Sequence, residues 1–185
     1  WISKRYGISH TIVVPNASDN TLFGASDDGV APRSYDKTRN LAVYTGTLGV
    51  ADDCGQIIDA AKELMHRKRN DIDIVLIGDG KERTELEARA KREALTNVRF
   101  LGLLPKTEVA RWLRRADVAL VTFRAVPFTD TQSPNKMFDS FAAGVPIIQT
   151  TQGWIKELIE REQCGITVPP NDSSALADAV TDLID

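Results

Sequence analysis

The chain has 185 residues, 42% hydrophobic and 26% charged, with a net charge of −3. Those values suit one globular domain with a sizeable core, and the mildly acidic balance, without a basic, aromatic-interleaved stripe, argues against a nucleic-acid binder. No apolar run approaches the ~18 residues of a membrane span, and the start Trp1-Ile2-Ser3-Lys4-Arg5 lacks the apolar core of a signal peptide. Cys54 and Cys164 stand far apart without a motif and read as reduced, core or near-core thiols, which implies a cytosolic setting. The opening without Met, and a close inside an apparent helix (Leu176, Ala179, Val180, Leu183), lead us to expect one domain of a longer protein.

In chain order, Ile12-Val13-Val14 is a short apolar run stopped by Pro15-Asn16, and the polar stretch from Ala17 to Arg39 reads as a loop. From Asn40 the pattern becomes regular. Leu41–Thr45 predicts a strand ending at Gly46, and Ile57, Ile58, Ala61, Leu64 and Met65 mark one face of a helix. Ile74–Ile77 is an apolar strand stopped by Gly78-Asp79-Gly80, followed by a charged helix from Glu82 to Ala94. Val98–Leu101 is a strand stopped by Gly102, and Val109, Trp112 and Leu113 share a helix face. Val118–Phe123 predicts a strand. A helix opens at Ser133, and a short strand runs from Val145 to Ile148. A helix around Trp154–Ile159, a strand at Ile166–Val168 and a helix opened by Asn171 or Asp172 complete the chain. Continuously apolar strands alternating with amphipathic helices predict an α/β fold: a doubly wound, Rossmann-like parallel sheet of about six strands with helices on both faces. Ligands of such sheets sit beyond the carboxyl ends of the strands, where the turns at Gly46-Thr47-Leu48-Gly49, Gly78–Gly80, Gly102 and the loop before Ser133 all fall.

The most informative segment is Ser133-Pro134-Asn135-Lys136-Met137-Phe138-Asp139. Ser133 is a natural N-cap, Pro134 suits the first helical position, and Gly144 ends the helix. Free N–H groups at such a start attract phosphate; Lys136 adds a cation, and Asp139, one turn on, an acceptor suited to a ribose hydroxyl. Together they make a candidate nucleotide-sugar diphosphate site.

Five pieces, in order, resemble the C-terminal, donor-binding half of the group 1 glycosyltransferases, the retaining family 4 of the GT-B fold. Pro15-Asn16-Ala17-Ser18-Asp19 with Phe23 is similar to its lead-in to the second domain. Tyr44-Thr45-Gly46-Thr47-Leu48-Gly49 and Ile77-Gly78-Asp79-Gly80 are similar to its glycine turns, and Val98-Arg99-Phe100-Leu101-Gly102 to a third strand end. Ser133 through Pro146 resembles the P-x-K-x-x-E helix of the branch that builds bacterial surface polysaccharides.

The resemblance implies an interdomain lead-in and loop at 1–39 and a nucleotide-sugar-binding domain at 40–185, with the N-terminal acceptor domain absent from this chain. It implies a nucleotide-sugar donor, a UDP-sugar, as substrate, with no cofactor and no metal. It places Gly46, Thr47, Gly49, Gly78, Asp79, Gly80, Leu101, Leu103, Thr131, Gln132, Ser133, Asn135, Lys136 and Asp139 around the donor, with the base against backbone near Gly78–Gly80 and Leu101–Leu103. Asp139 stands for the family's second carboxylate, on the ribose. The first falls at Thr131, with Asp130 beside it, so Asp130 and Asp139 are the expected catalytic carboxylates. An Arg and a Lys that many members aim at the diphosphate are here Thr47 and Asp52, which leaves Lys136 and the helix start to meet it. The full enzyme would act on a glycan or lipid-linked acceptor in lipopolysaccharide or capsule synthesis, in the cytoplasm with peripheral contact at the inner membrane face; the isolated domain would be inactive.

Other readings stand beside this one. Lys136 and Asp139 are also compatible with solvated surface charges, and the four turn glycines with turns alone. Asp71-Ile72-Asp73 matches a metal-binding D-x-D but precedes its strand, so it reads as structural. His10 and His66 have no ligand partners at metal spacing, and Trp112 and Trp154 fall on core-facing helix sides. Two alternatives to a transferase are a GT-B-type nucleotide-sugar epimerase, which would need Asp130 and Asp139 as acid and base, and a non-catalytic nucleotide-binding module.

Overall fold

A computed structural model describes residues 2–12, 14–24 and 38–185. After two short helices, α1 (Ile2–Tyr6) and α2 (Asn20–Phe23), strands and helices alternate. They are β1 (Asn40–Thr45), α3 (Gly55–His66), β2 (Ile72–Ile77), α4 (Arg83–Arg92), β3 (Val98–Gly102), α5 (Lys106–Arg115) and β4 (Val118–Val121). A single 3₁₀ turn at Thr129–Thr131 precedes α6 (Asn135–Ala142), β5 (Ile147–Gln149), α7 (Trp154–Glu162), β6 (Gly165–Thr167) and α8 (Ser173–Ile184).

The six strands form one sheet in the order β3-β2-β1-β4-β5-β6, with every pairing parallel. The sheet is the expected doubly wound one. Side chains alternate across it with the period of two that a strand imposes. Ala42, Tyr44, Ile74, Leu76, Val118 and Leu120 meet α3, α4 and α8 on one face. Leu41, Val43, Val75, Ile77, Ala119 and Val121 meet α2, α5, α6 and α7 on the other. Because both faces are covered, β2 is buried along its whole length and reads as an unbroken apolar run apart from Asp73. The chain runs outward from β1 to β3, then returns to lay β4 against the other side of β1. That reversal opens a crevice between the carboxyl ends of β1 and β4.

Two local readings are corrected, at residues 20–23 and at Ser133. Within the polar stretch after Ala17, residues 20–23 form a helical turn. Asp19 caps it by accepting from the backbone N–H of Thr21 and Leu22 (3.0 and 3.2 Å), and Phe23 is buried in the core. Ile12 and Val14 are 90% and 85% exposed and belong to no strand; Val13 and residues 25–37 lie outside the described residues. Ser133 does not cap α6. Pro134 occupies the cap position in extended backbone (φ −76°, ψ 132°), so the helix begins at Asn135, and the Ser133 hydroxyl is buried without a hydrogen bond among the described residues. A proline has no N–H to lose there, which is why it can open the helix from outside it as well as from its first turn. Gly144 does end α6, in the left-handed region at φ +73°.

Asp71-Ile72-Asp73 sits at the amino end of β2, the edge opposite the glycine turns. Asp73 pairs with Arg39 (2.6 Å) and Arg99 (3.5 Å), and Asp71 with Arg69 (2.9 Å), a structural use of the motif.

Candidate functional site

A cavity of about 500 Å³ occupies the crevice at the carboxyl edge. Its walls come from the ends of β1 (Thr45, Gly46, Thr47, Asp52), β2 (Ile77, Gly78, Asp79) and β3 (Leu103, Leu104), and from Phe123 after β4. Gln132, Pro134, Asn135, Lys136 and Asp139 contribute the start of α6. Phe23 closes it from α2, and Lys106 and Val109 from α5. The first turn of α6 carries the positive end of the helix dipole, and of its backbone N–H groups that of Met137 donates to the Pro134 carbonyl (3.2 Å), leaving the earlier ones to face the cavity mouth.

The glycine turns are first a packing device. Gly78 has φ +148°, and a Cβ there would lie 1.7 Å from the Gly46 carbonyl oxygen, so the loops after β1 and β2 stack backbone on backbone. Gly46 has φ +142°, and a Cβ there would lie 3.0 Å from Lys136 Cε and 3.1 Å from its Nζ. The missing side chain therefore leaves the channel through which the lysine runs.

Lys136 is nearly buried. Its Nζ donates to Asp52 Oδ1 and to the Tyr44 hydroxyl, both at 2.7 Å, and lies 4.3 Å from the Tyr44 ring centroid and 5.2 Å from that of Phe123. Tyr44 in turn donates to the Thr47 carbonyl at 2.6 Å, tying the ammonium to the loop after β1. Burial pulls the Lys136 ammonium below the ordinary lysine value, and Asp52 opposes that shift. Burial also raises the Tyr44 hydroxyl and pushes the Cys54 thiol up to about 12, so both stay protonated at neutral pH. The solvated-surface reading of Lys136 does not hold, since its side chain is 11% exposed.

Asp139, half-buried on the cavity wall, accepts from Ser18 Oγ at 2.6 Å. Asn16 Nδ2 donates to the Ser133 carbonyl. The segment before α2 thus straps the start of α6. Gln132 and Asn135 reach the cavity, the former also giving its carbonyl to Trp154 Nε1 (2.9 Å). Asp79 lines the wall and accepts from the Gly80 N–H (2.8 Å), Leu103 is 77% exposed at the rim, and Thr47 faces in. Gly49, Gly80, Leu101 and Ser133 are not among the residues that line this cavity.

The structure places Asp130 and Thr131 apart from the cavity that Asp139 lines. Asp130 Oδ1 accepts from the Gln152 backbone N–H (2.8 Å), and the residue lines a separate, smaller cavity with Arg124 and Thr150. Thr131 Oγ1 donates to the Phe128 carbonyl (2.8 Å). Residues 129–131 coil into a 3₁₀ turn, which spends these side chains on local and α7 contacts and keeps Asp130 away from Asp139's cavity. Sequence reasoning overlooked Tyr44 and the pairing of Asp52 with Lys136. The only signal was an acid standing where a cation was expected, with an unpaired lysine elsewhere on the same edge.

An open parallel sheet with a crevice at its reversal point, and a helix start and a buried lysine beside that crevice, define a doubly wound α/β domain with a candidate ligand site at its carboxyl edge. The family model for group 1 glycosyl transferases matches residues 39–185, and the chain belongs to that family as its C-terminal domain. A glycogen synthase of Mycobacterium tuberculosis is 29% identical over 127 residues, covering 68% of this chain and 30% of the relative. The amylovoran biosynthesis glycosyltransferase AmsK of Erwinia amylovora is 27% identical over 125 residues, covering 66% and 30%. The chain thus spans about a third of the length of the curated relatives it matches. The crystal structure of Anabaena Alr3699/HepE in complex with UDP and glucose matches with TM-score 0.72 and 20% identity, over 92% of this chain and 46% of that one, a likeness of fold.

Proposed function

We propose that this domain binds the nucleotide diphosphate of a sugar donor for a retaining glycosyltransferase, and that the whole protein transfers a hexosyl-type sugar in bacterial lipopolysaccharide or capsule synthesis. The observation that carries this reading is the buried Lys136 ammonium, held at the wall of the carboxyl-edge cavity at the first turn of α6. A diphosphate placed between the Gly46 loop and α6 meets that ammonium and the free N–H groups together. As the sugar leaves, charge grows on the diphosphate where these fixed dipoles already point, so no metal is required. Asp139 receives the ribose hydroxyls, and the base lies along Gly78–Gly80 and Leu103.

A UDP-sugar is the proposed donor, supported by the UDP and UDP-glucose complexes of the Anabaena protein. Polysaccharide synthesis is supported by relatives named for amylovoran and colanic acid biosynthesis. The acceptor, glycan or lipid-linked, belongs to an N-terminal domain in this reading. Closure of the two halves assembles the site, which leaves the isolated domain inactive. Among the described residues no helix is long and apolar enough to cross a membrane; any membrane contact of the whole protein would be peripheral. For the epimerase reading, Asp130 accepts from the Gln152 backbone N–H and lines a separate cavity from the one Asp139 lines. The non-catalytic module gains from one observation, the neutralisation of Lys136 by Asp52.

Titrating the chain with UDP, GDP, ADP and dTDP while following NMR shifts tests the proposal. We expect UDP to move Lys136, Asp139 and Gly78–Gly80. Lys136→Ala should weaken UDP at least about tenfold, the scale of one lost charge-assisted contact, and leave uridine unchanged. Silence with all four nucleotides at millimolar concentration, or equal UDP affinity in the mutant, overturns the assignment.

A further inference from the structure

We infer that Asp52 sets the strength of diphosphate binding by competing with the ligand for Lys136, so that this cavity favours release of a nucleotide diphosphate over its retention. The inference rests on the donor-site reading above. Its basis is that the cation offered to the ligand is already committed. Lys136 Nζ and Asp52 Oδ1 are 2.7 Å apart, and the two side chains are 11% and 15% exposed. The ammonium's other partner, the Tyr44 hydroxyl, is neutral and spends its own proton on the Thr47 carbonyl. Asp52 is therefore the counter-charge.

Neither partner can easily move aside. The lysine stem is confined by Gly46, where a Cβ would already crowd it, and by the Tyr44 and Phe123 rings. Asp52 is held by its backbone, independently of its carboxylate. Its N–H donates to the Gly49 carbonyl (3.0 Å), and its carbonyl accepts from Thr122 Oγ1 (2.8 Å). One residue back, the Ala51 carbonyl accepts from the Arg124 N–H (2.9 Å). A phosphate that reaches Lys136 must therefore come close to a fixed carboxylate. Two anions sharing one ammonium in a partly buried site repel each other by more than they would in water. Among the charged side chains of the lining, Asp79, itself paired with Arg83 (3.7 Å), and Asp139 add two further carboxylates and Lys106 one further cation, so the favourable field left to a diphosphate is that of the α6 start. Deleting the Asp52 charge should thus strengthen the grip on a diphosphate. It should not affect a ligand without phosphate.

Calorimetric titration of the chain with UDP and with uridine, for the parent, Asp52→Asn and Asp52→Ala, tests this. We expect both variants to bind UDP about tenfold more tightly, the scale of one unit charge in a half-buried site, with uridine unchanged. Lys136 loses its counter-ion in these variants, so a lower melting temperature is expected, and saturating UDP should raise it by more than in the parent. UDP binding detectable only in the variants supports the inference equally. A parent that binds UDP while the variants bind it no better overturns the inference and leaves the donor site standing. Variants that gain for uridine as much as for UDP overturn it too. Absence of UDP binding in all three proteins overturns both.

Discussion

Two buried ion pairs sit at opposite edges of one sheet, and they are put to different use. At the amino edge, Asp73, 2% exposed, lies between Arg39 and Arg99, and nearby Asp117 accepts the Leu41 N–H at 2.7 Å. These carboxylates join β1, β2, β3 and the turn before β4. At the carboxyl edge, Lys136 and Asp52 are buried to a similar degree, but their ammonium borders a cavity of about 500 Å³ at a helix start. Burial of a charge does not by itself mark a site. What distinguishes the two is whether the structure leaves room beside the charge for something else to approach it, and whether fixed dipoles point into that room.

The comparison can be broken most severely at the glycine loops that shape the room. Gly78→Ala would force a Cβ to within 1.7 Å of the Gly46 carbonyl oxygen at a φ that only glycine adopts readily. We expect a loss of at least about 4 kcal/mol, or failure to fold, measured by urea denaturation. A mild effect would mean that the loops after β1 and β2 separate easily, and that the channel holding Lys136 is soft.

A smaller effect separates the two edges directly. Asp73→Asn removes the carboxylate shared by Arg39 and Arg99 and should cost about 2 kcal/mol, below the range for a fully buried pair because Arg39 is 30% exposed. Saturating UDP should not restore that loss beyond its effect on the parent, and UDP affinity should be unchanged. If Asp73→Asn altered UDP affinity as strongly as Asp52→Asn, the two edges would be coupled through the sheet and the contrast drawn above would fail.

How much of this was legible in the sequence follows the range of the forces involved. The strands and the helices from α3 to α8 announce themselves because each carries its own period, apolar along Ile74–Ile77 and amphipathic at Ile57, Ile58 and Ala61. The convergence of the glycine turns on one edge follows from parallel topology alone. Lys136 and Asp139 were visible because they lie one turn apart on a recognisable helix start. Less local features were hidden. One turn at residues 20–23 is too short for a periodic signal, although Phe23 fills a gap in the core. The partner of Lys136 lies 84 residues earlier, and nothing in the order of residues says that the loop after β1 reaches the start of α6. The direction of Asp130 depends on a 3₁₀ turn, whose geometry aims it at the Gln152 N–H and which no sequence period announces. Ser133 was misplaced by one position, since Pro134 can stand either at or just before the start of a helix.

The smallest expected effect tests whether amino-edge charges act only on stability. Arg69 grips Asp71 in two parallel hydrogen bonds (3.0 and 2.9 Å) and also reaches Asp185 (3.0 Å). The Arg69 guanidinium, opposed by partial burial, holds the Asp71 carboxyl down to about 2, against an ordinary value of 3.8. A carboxyl depressed in the folded state adds stability that is present above its ordinary value and is lost as pH falls through its folded one. Asp71→Asn should therefore destabilise the chain at neutral pH, with the difference from the parent shrinking below about pH 4 and mostly gone at pH 2. Because Asp71 is 48% exposed, that difference should stay under about 1 kcal/mol and fall further in high salt. Urea midpoints for parent and variant from pH 7 down to 2 would show it. A difference that survives undiminished at pH 2 would mean the variant acts through packing or the Asn40 hydrogen bond rather than charge. A difference that appears in UDP affinity would mean that charge at the amino edge is felt in the cavity at the other.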